Sequence, residues 1–144
     1  MLNIFLLPKN NSSKYLSLQK KFQHPFTVLH IKLYSTIYIK LNNIVICWMG
    51  DLNNVLFSWV EAANIFDFDL YVAHPKQIKP SKELKKISYG KKNITFTQNV
   101  KQAIHNSNCI ITDTWFSMGS KKSVISEQYF KRYQVNEKNI IRTI

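Results

Sequence analysis

From residue 43 onward, short apolar runs of strand character alternate with stretches of helical spacing, and this alternation limits the folds open to the chain. Residues 44–49 (IVICWM) are apolar without a break, as in a strand buried on both faces. Gly50-Asp51 ends that run, and Asn53-Asn54 can cap a helix beginning there. Val55, Leu56, Trp59, Val60, Ala63 and Phe66 then fall at helical spacing. A second strand is expected over 68–73, stopped by His74-Pro75, and a polar helix over 81–89, opened by Ser81 and ended by Gly90. Further strands are expected over 94–97 and 109–112. A helix opened by Asn99 should cover 100–106, and another 124–133. Strands separated by helices of about ten residues make right-handed βαβ units. The expected fold is therefore α/β, a doubly wound parallel sheet with helices on both faces. Residues 44–144 are expected to form this domain and 1–43 a remnant or linker segment.

Ligands of such sheets bind outside the carboxyl ends of the strands. Those ends are 50–54, 74–76 and 113–119, and polar residues cluster there. The lead-in differs. LPKNNSSKYLSLQKKF reads as loose and basic, whereas 31–41 alternate apolar and polar with strand periodicity.

Composition narrows the function classes. A chain of 144 residues, 45% apolar and 19% charged, is one globular domain rather than a disordered segment. Its apolar N-terminal stretch is too short for a signal-peptide core, and no uninterrupted apolar run reaches membrane-spanning length. Cys47 and Cys109 lie in apolar runs without metal-ligand spacing, so neither a metal nor an oxidising compartment is expected, and a cytoplasmic setting is. The net charge of +12 comes from eighteen lysines but only Arg132 and Arg142. Together with abundant Ile and Asn, this is the signature of AT-rich coding, and bidentate phosphate readout prefers Arg. A Lys-rich module for a polyanion such as nucleic acid remains the alternative, with a steep salt dependence as its mark.

Two loops could carry chemistry. GDLNN at 50–54 lacks the glycines a dinucleotide pyrophosphate needs, and its asparagines can cap a helix or turn an amide toward a ligand carboxylate. In TDTWFSMGS at 112–120, Asp113 could hold an ammonium and Ser117 could donate to a carboxylate, or both could bond local backbone.

Together, WMGDLNNV, the HPK after the second strand, ITDTWFSMG and YQVN closely resemble the ornithine carbamoyltransferases in their second, ornithine-binding domain. Order and spacing both match, over about residues 44–136. The resemblance implies that Asn54 contacts the ornithine carboxylate side and Asp113 the ornithine ammonium. It also implies that Ser117 and Met118 contact the amino-acid backbone and close over the site. The family reaction joins ornithine and carbamoyl phosphate into citrulline and phosphate, without a metal or organic cofactor.

Departures from the pattern shape the expectation. Leu52 occupies a usually small position and could misplace the first loop. His24-Pro25 weakly matches the carbamoyl-gripping HPxQ segment, with Thr27 in place of Gln; the resemblance implies a helix next, and since the spacing to Gly50-Asp51 is preserved, that helix is expected over the strand periodicity of 31–41. Neither the phosphate-binding STRT nor HCLP occurs. The resemblance thus implies a partial carbamoyltransferase, truncated at both ends and inactive alone. It would bind ornithine weakly and engage carbamoyl phosphate only if the missing domain were supplied. The family homotrimer is not carried over, and apolar surface around 26–41 implies self-association.

Overall fold

The computed structural model describes residues 3–6, 17–18, 44–105, 107–115 and 124–136. In chain order the elements are β1 (Asn3–Leu6), β2 (Ser17–Leu18), β3 (Val45–Met49), α1 (Asn54–Phe66), β4 (Asp69–Ala73), α2 (Lys82–Ser88), β5 (Ile94–Thr97), α3 (Val100–Ile104), β6 (Cys109–Thr112) and α4 (Val124–Phe130). A 3-10 turn, Lys131–Tyr133, comes directly after α4. Every strand and helix expected beyond residue 43 is present, and most ends fall within one residue of expectation. The two exceptions have local causes. Helix α3 stops at Ile104, where His105 leaves helical geometry, and the segment after α4 tightens to 3-10 geometry at Lys131.

Caps set the helix starts. Asn53, Ser81 and Asn99 each accept backbone N–H bonds through their side chains at the openings of α1, α2 and α3. At the other end of α1, Asp67 takes the left-handed conformation (φ 55°) and its N–H bonds the Ala63 carbonyl.

The sheet order is β2-β1-β6-β3-β4-β5. Strands β6, β3, β4 and β5 are mutually parallel, with Ile46 opposite both Leu70 and Cys109. This is the doubly wound parallel sheet expected from the sequence. The N-terminal lead-in, by contrast, is not wholly loose. Strand β1 pairs antiparallel with β6, Ile4 opposite Ile111, and β2 pairs antiparallel with β1. The pairing covers the backbone edge that β6 would otherwise leave open. The strand periodicity at 31–41 lies outside the described residues.

Alternation along the strands builds two cores. Ile46, Trp48, Leu70, Val72 and Ile111 face α1 and α2, meeting Leu56, Val60, Ala63 and Leu84. Cys47, Met49, Ala73 and Ile110 face the other way, against Ala103, Ile104 and Tyr133. Helices therefore cover both faces. Leu52 packs on the first core with an ordinary backbone: apart from glycines, only Asp67 among the described residues has a positive φ. The larger side chain is taken up, partly buried, against that core.

Asn93 ties this framework together across sequence. Its Nδ2 donates to the Ala63 carbonyl (3.0 Å) at the end of α1 and to the Phe68 carbonyl (3.1 Å) just before β4. Replacing Asn93 with Ala should cost about 1–2 kcal/mol, because two part-buried carbonyls lose a donor. The expected readout is a lower urea midpoint with unchanged denaturant slope.

Candidate functional site

Chain direction across the sheet reverses between β3 and β6. From β3 the chain steps outward to β4 and β5, then returns past β3 to lay down β6. Such a switch point leaves a crevice at the carboxyl ends of the two strands. Here it is bordered by the loop after β3 and by Asp113–Trp115 after β6.

Buried donors hold the first loop. The indole N–H of Trp48, a fully buried residue, donates to the Asp51 carbonyl at 2.9 Å. The Gly50 N–H bonds the Ala73 carbonyl at 3.0 Å, and the Thr112 hydroxyl donates to the Met49 carbonyl at 2.8 Å. Gly50 has φ 136°, a conformation closed to most side chains, and lies against the Trp115 ring. Trp115 in turn stacks on buried Phe130 of α4, with centroids 5.6 Å apart and planes 13° apart.

Asn53 has two tasks. Its Oδ1 accepts the N–H groups of Val55 and Leu56 (3.0 and 3.1 Å), and its Nδ2 donates to Oδ2 of Asp113 at 3.3 Å. Asn54 opens α1 with its side chain exposed. The structure thus brings the GDLNN loop and Asp113 together, and the asparagine touching Asp113 is Asn53. Ser117, Met118 and His24 lie outside the described residues.

A second carboxylate shares the crevice. Burial raises the pKa of Asp51 above its ordinary 3.8, the N–H of Leu52 opposes this, and the charge of Asp113 adds to it. Two carboxylates close enough to act on one another offer a favourable field to an ammonium.

Sequence reasoning missed three contributors. The doubled asparagine hid a division of labour, since one residue of such a pair caps the helix. His74 is buried and neutral: its Nδ1 lies 3.0 Å from the Pro75 carbonyl, and its ring meets Phe96 edge-on at 5.9 Å. Tyr133, from the YQVN motif, is buried and donates its hydroxyl hydrogen to the Gln98 carbonyl at 3.2 Å, tying the segment after α4 to the loop after β5.

The cysteines are chemically quiet. Burial pushes the Cys109 thiol up to about 12 and the Cys47 thiol higher still, so both stay protonated at neutral pH. They face opposite cores. Among the described residues no cluster of three or more His, Cys, Asp or Glu could hold a metal, and no helix is long and apolar enough to cross a membrane.

Residues 42–143 match the family model described as aspartate/ornithine carbamoyltransferase, Asp/Orn binding domain. The ornithine carbamoyltransferase of Rhodopseudomonas palustris (strain CGA009) is 43% identical over 94 residues, 65% of this chain and 30% of that protein. The Brucella ovis enzyme is 42% identical over 92 residues, 62% of this chain and 29% of its own length. Among solved structures, the anabolic ornithine carbamoyltransferase of Campylobacter jejuni superposes with a TM-score of 0.70 at 26% identity, covering 84% of this chain and 42% of that one. The Thermus thermophilus enzyme gives 0.61 at 28% identity, covering 82% and 38%. The chain spans about 30% of the length of the curated relatives it matches.

Two pH dependences arise from these groups. The pKa of Asp51 is raised on folding, so its contribution to stability is complete below 3.8 and is lost as pH rises through the folded value. The Asp51→Asn variant should therefore gain stability over the parent as pH rises from 3.8, then hold a constant lead toward neutrality. For His74 the pKa is lowered, chiefly by burial, with Lys79 adding to the shift and backbone bonds at Pro75 and Ile78 opposing it. Its contribution is complete above 6.5 and is lost as pH falls toward the folded value. The His74→Asn variant should flatten the parent's decline just below pH 6.5, measured by urea unfolding at stepped pH.

Proposed function

This chain belongs to the aspartate/ornithine carbamoyltransferase family, and from that premise we propose that the crevice between β3 and β6 binds ornithine. The observation that carries this reading is the meeting of Asp113 with the GDLNN loop at the switch point. Asp113 takes an ornithine ammonium. Asn54, exposed at the opening of α1, donates its amide to the ornithine carboxylate side. Ser117 and Met118 complete the amino-acid contacts by their match to the family motif. The second carboxylate, Asp51, favours a ligand with a surplus of amines over one with a surplus of acids, so ornithine is chosen over aspartate.

The reaction of the whole family joins this amino-acid half to a carbamoyl phosphate half. This chain contains neither STRT nor HCLP, and His24 is the one match to the carbamoyl-gripping segment. We therefore assign it the amino-acid-binding half, inactive in carbamoyl transfer by itself. Transfer would need carbamoyl phosphate held by residues that this chain does not contain.

The energetics set the expected affinity. A solvent-screened ion pair gives up to about 1 kcal/mol, and each hydrogen bond nets about 1 kcal/mol. Capturing a free ligand costs at least about 4 kcal/mol, so binding should be millimolar or weaker. Ligand-observed NMR with the full chain should show ornithine broadening and no response to aspartate. The Asp113→Asn variant should abolish the ornithine signal, and a citrulline assay should show no turnover. Equal response to both amino acids, or turnover that depends on Asp113, would overturn this assignment.

A further inference from the structure

We propose that Asn53 is a positioning residue that locks the Asp113 carboxylate in its ligand-facing orientation, an assignment that rests on the ornithine reading above. Both ends of its side-chain amide are engaged. The oxygen is committed, since Oδ1 accepts the N–H groups of both Val55 and Leu56. Turning the amide over would set its NH2 against those two donors and its oxygen against a carboxylate, unfavourable at both ends. The cap therefore aims Nδ2 at Asp113, where it donates to Oδ2 across 60 residues of sequence.

The arrangement differs from ordinary capping in one respect. A Ser or Asp at this position caps a helix about as well as Asn, but an Asp carboxylate has no hydrogen to donate, and the one oxygen of a shorter Ser, committed to the cap, stops short of the place from which Nδ2 reaches Asp113. Asparagine alone among the good caps carries an acceptor and a donor on separate atoms, one for the helix and one for the carboxylate. With one Asp113 oxygen held by Asn53, the carboxylate is restrained before a ligand arrives, and less ordering is left to be done on binding. Asn54 lacks this contact and is exposed, so the two neighbouring asparagines have separate tasks: Asn53 orients Asp113, and Asn54 meets the ligand.

The test uses the full chain with Asn53→Ser, Asn53→Asp and Asp113→Asn, read by thermal unfolding, ornithine titration by NMR, and the Asn53 side-chain amide resonances. Asn53→Ser should unfold within a degree or two of the parent yet bind ornithine about fivefold more weakly. Asn53→Asp should also keep its cap but lose more affinity at neutral pH, because its carboxylate faces Asp113. In the ligand-free parent, the Asn53 amide resonances should move on Asp113→Asn. Should Asn53→Ser bind as the parent does, or lose affinity only in proportion to lost folding, the positioning role is overturned while ornithine binding stands. Should the parent itself not bind ornithine, the functional reading falls and the amide resonances decide alone: a shift on Asp113→Asn supports the contact, and none overturns it.

Discussion

A buried indole N–H is costly to leave without an acceptor; that of Trp59 goes without one among the described residues, and the acceptor found by Trp48 shapes the crevice. Strand β3 lies between β4 and β6, and Cys47, Trp48 and Met49 are wholly screened from solvent. A Trp side chain there contributes a large apolar surface but brings a donor that would cost about 1–3 kcal/mol if left unpaired. The Asp51 carbonyl satisfies it, which bends the chain back just past the strand end. Gly50 permits the bend, and the returning loop delivers Asn53 to the start of α1 and to Asp113. The site is thus a consequence of how the central strand buries its largest residue.

The part of the fold built from local signals was legible in the sequence. Short runs rich in apolar and β-branched residues announced the parallel strands, and Ser81, Asn99 and the Asn53-Asn54 pair announced helix starts because capping is a matter of one or two residues. Asp113 was legible as a strand-end acid, and so was the fold class that places it near GDLNN. Long-range matters were not. That β1 lies on the outer edge of β6 is decided by an open edge far away in sequence, and four residues of NIFL carry no sign of it. Which asparagine reaches Asp113 depends on the turn of one cap. The family pattern pointed to Asn54 for the ligand and is silent on Asn53. Leu52, a departure from the family pattern, packs against the first core, a contact made with residues distant in sequence.

Motif residues without chemistry also gain a physical meaning. Trp115 of DTW spans the gap between Gly50 and Phe130, so it sets the spacing of the loops after β3 and β6. Tyr133 of YQVN buries its ring in the second core and bonds the carbonyl of Gln98. Both act as struts. Their tolerance to substitution should follow volume and the single hydrogen bond of Tyr133, rather than ligand chemistry.

The charge of the chain and the charge of its crevice have opposite signs, and distance decides which of them a ligand feels. The seven lysines between residues 76 and 92 are all exposed, their charges facing water. Interactions between exposed charges fade beyond about 8 Å at physiological ionic strength. Asp51 and Asp113, half-buried and close enough to affect one another, act on a bound group at short range, where screening is weakest. A net charge of +12 therefore does not argue against a cationic ligand. It slows the approach of such a ligand at low salt, and the two carboxylates determine what stays. Raising the salt should weaken the long-range repulsion more than the local attraction, so affinity for a cationic amino acid should change far less with salt than binding of a polyanion would.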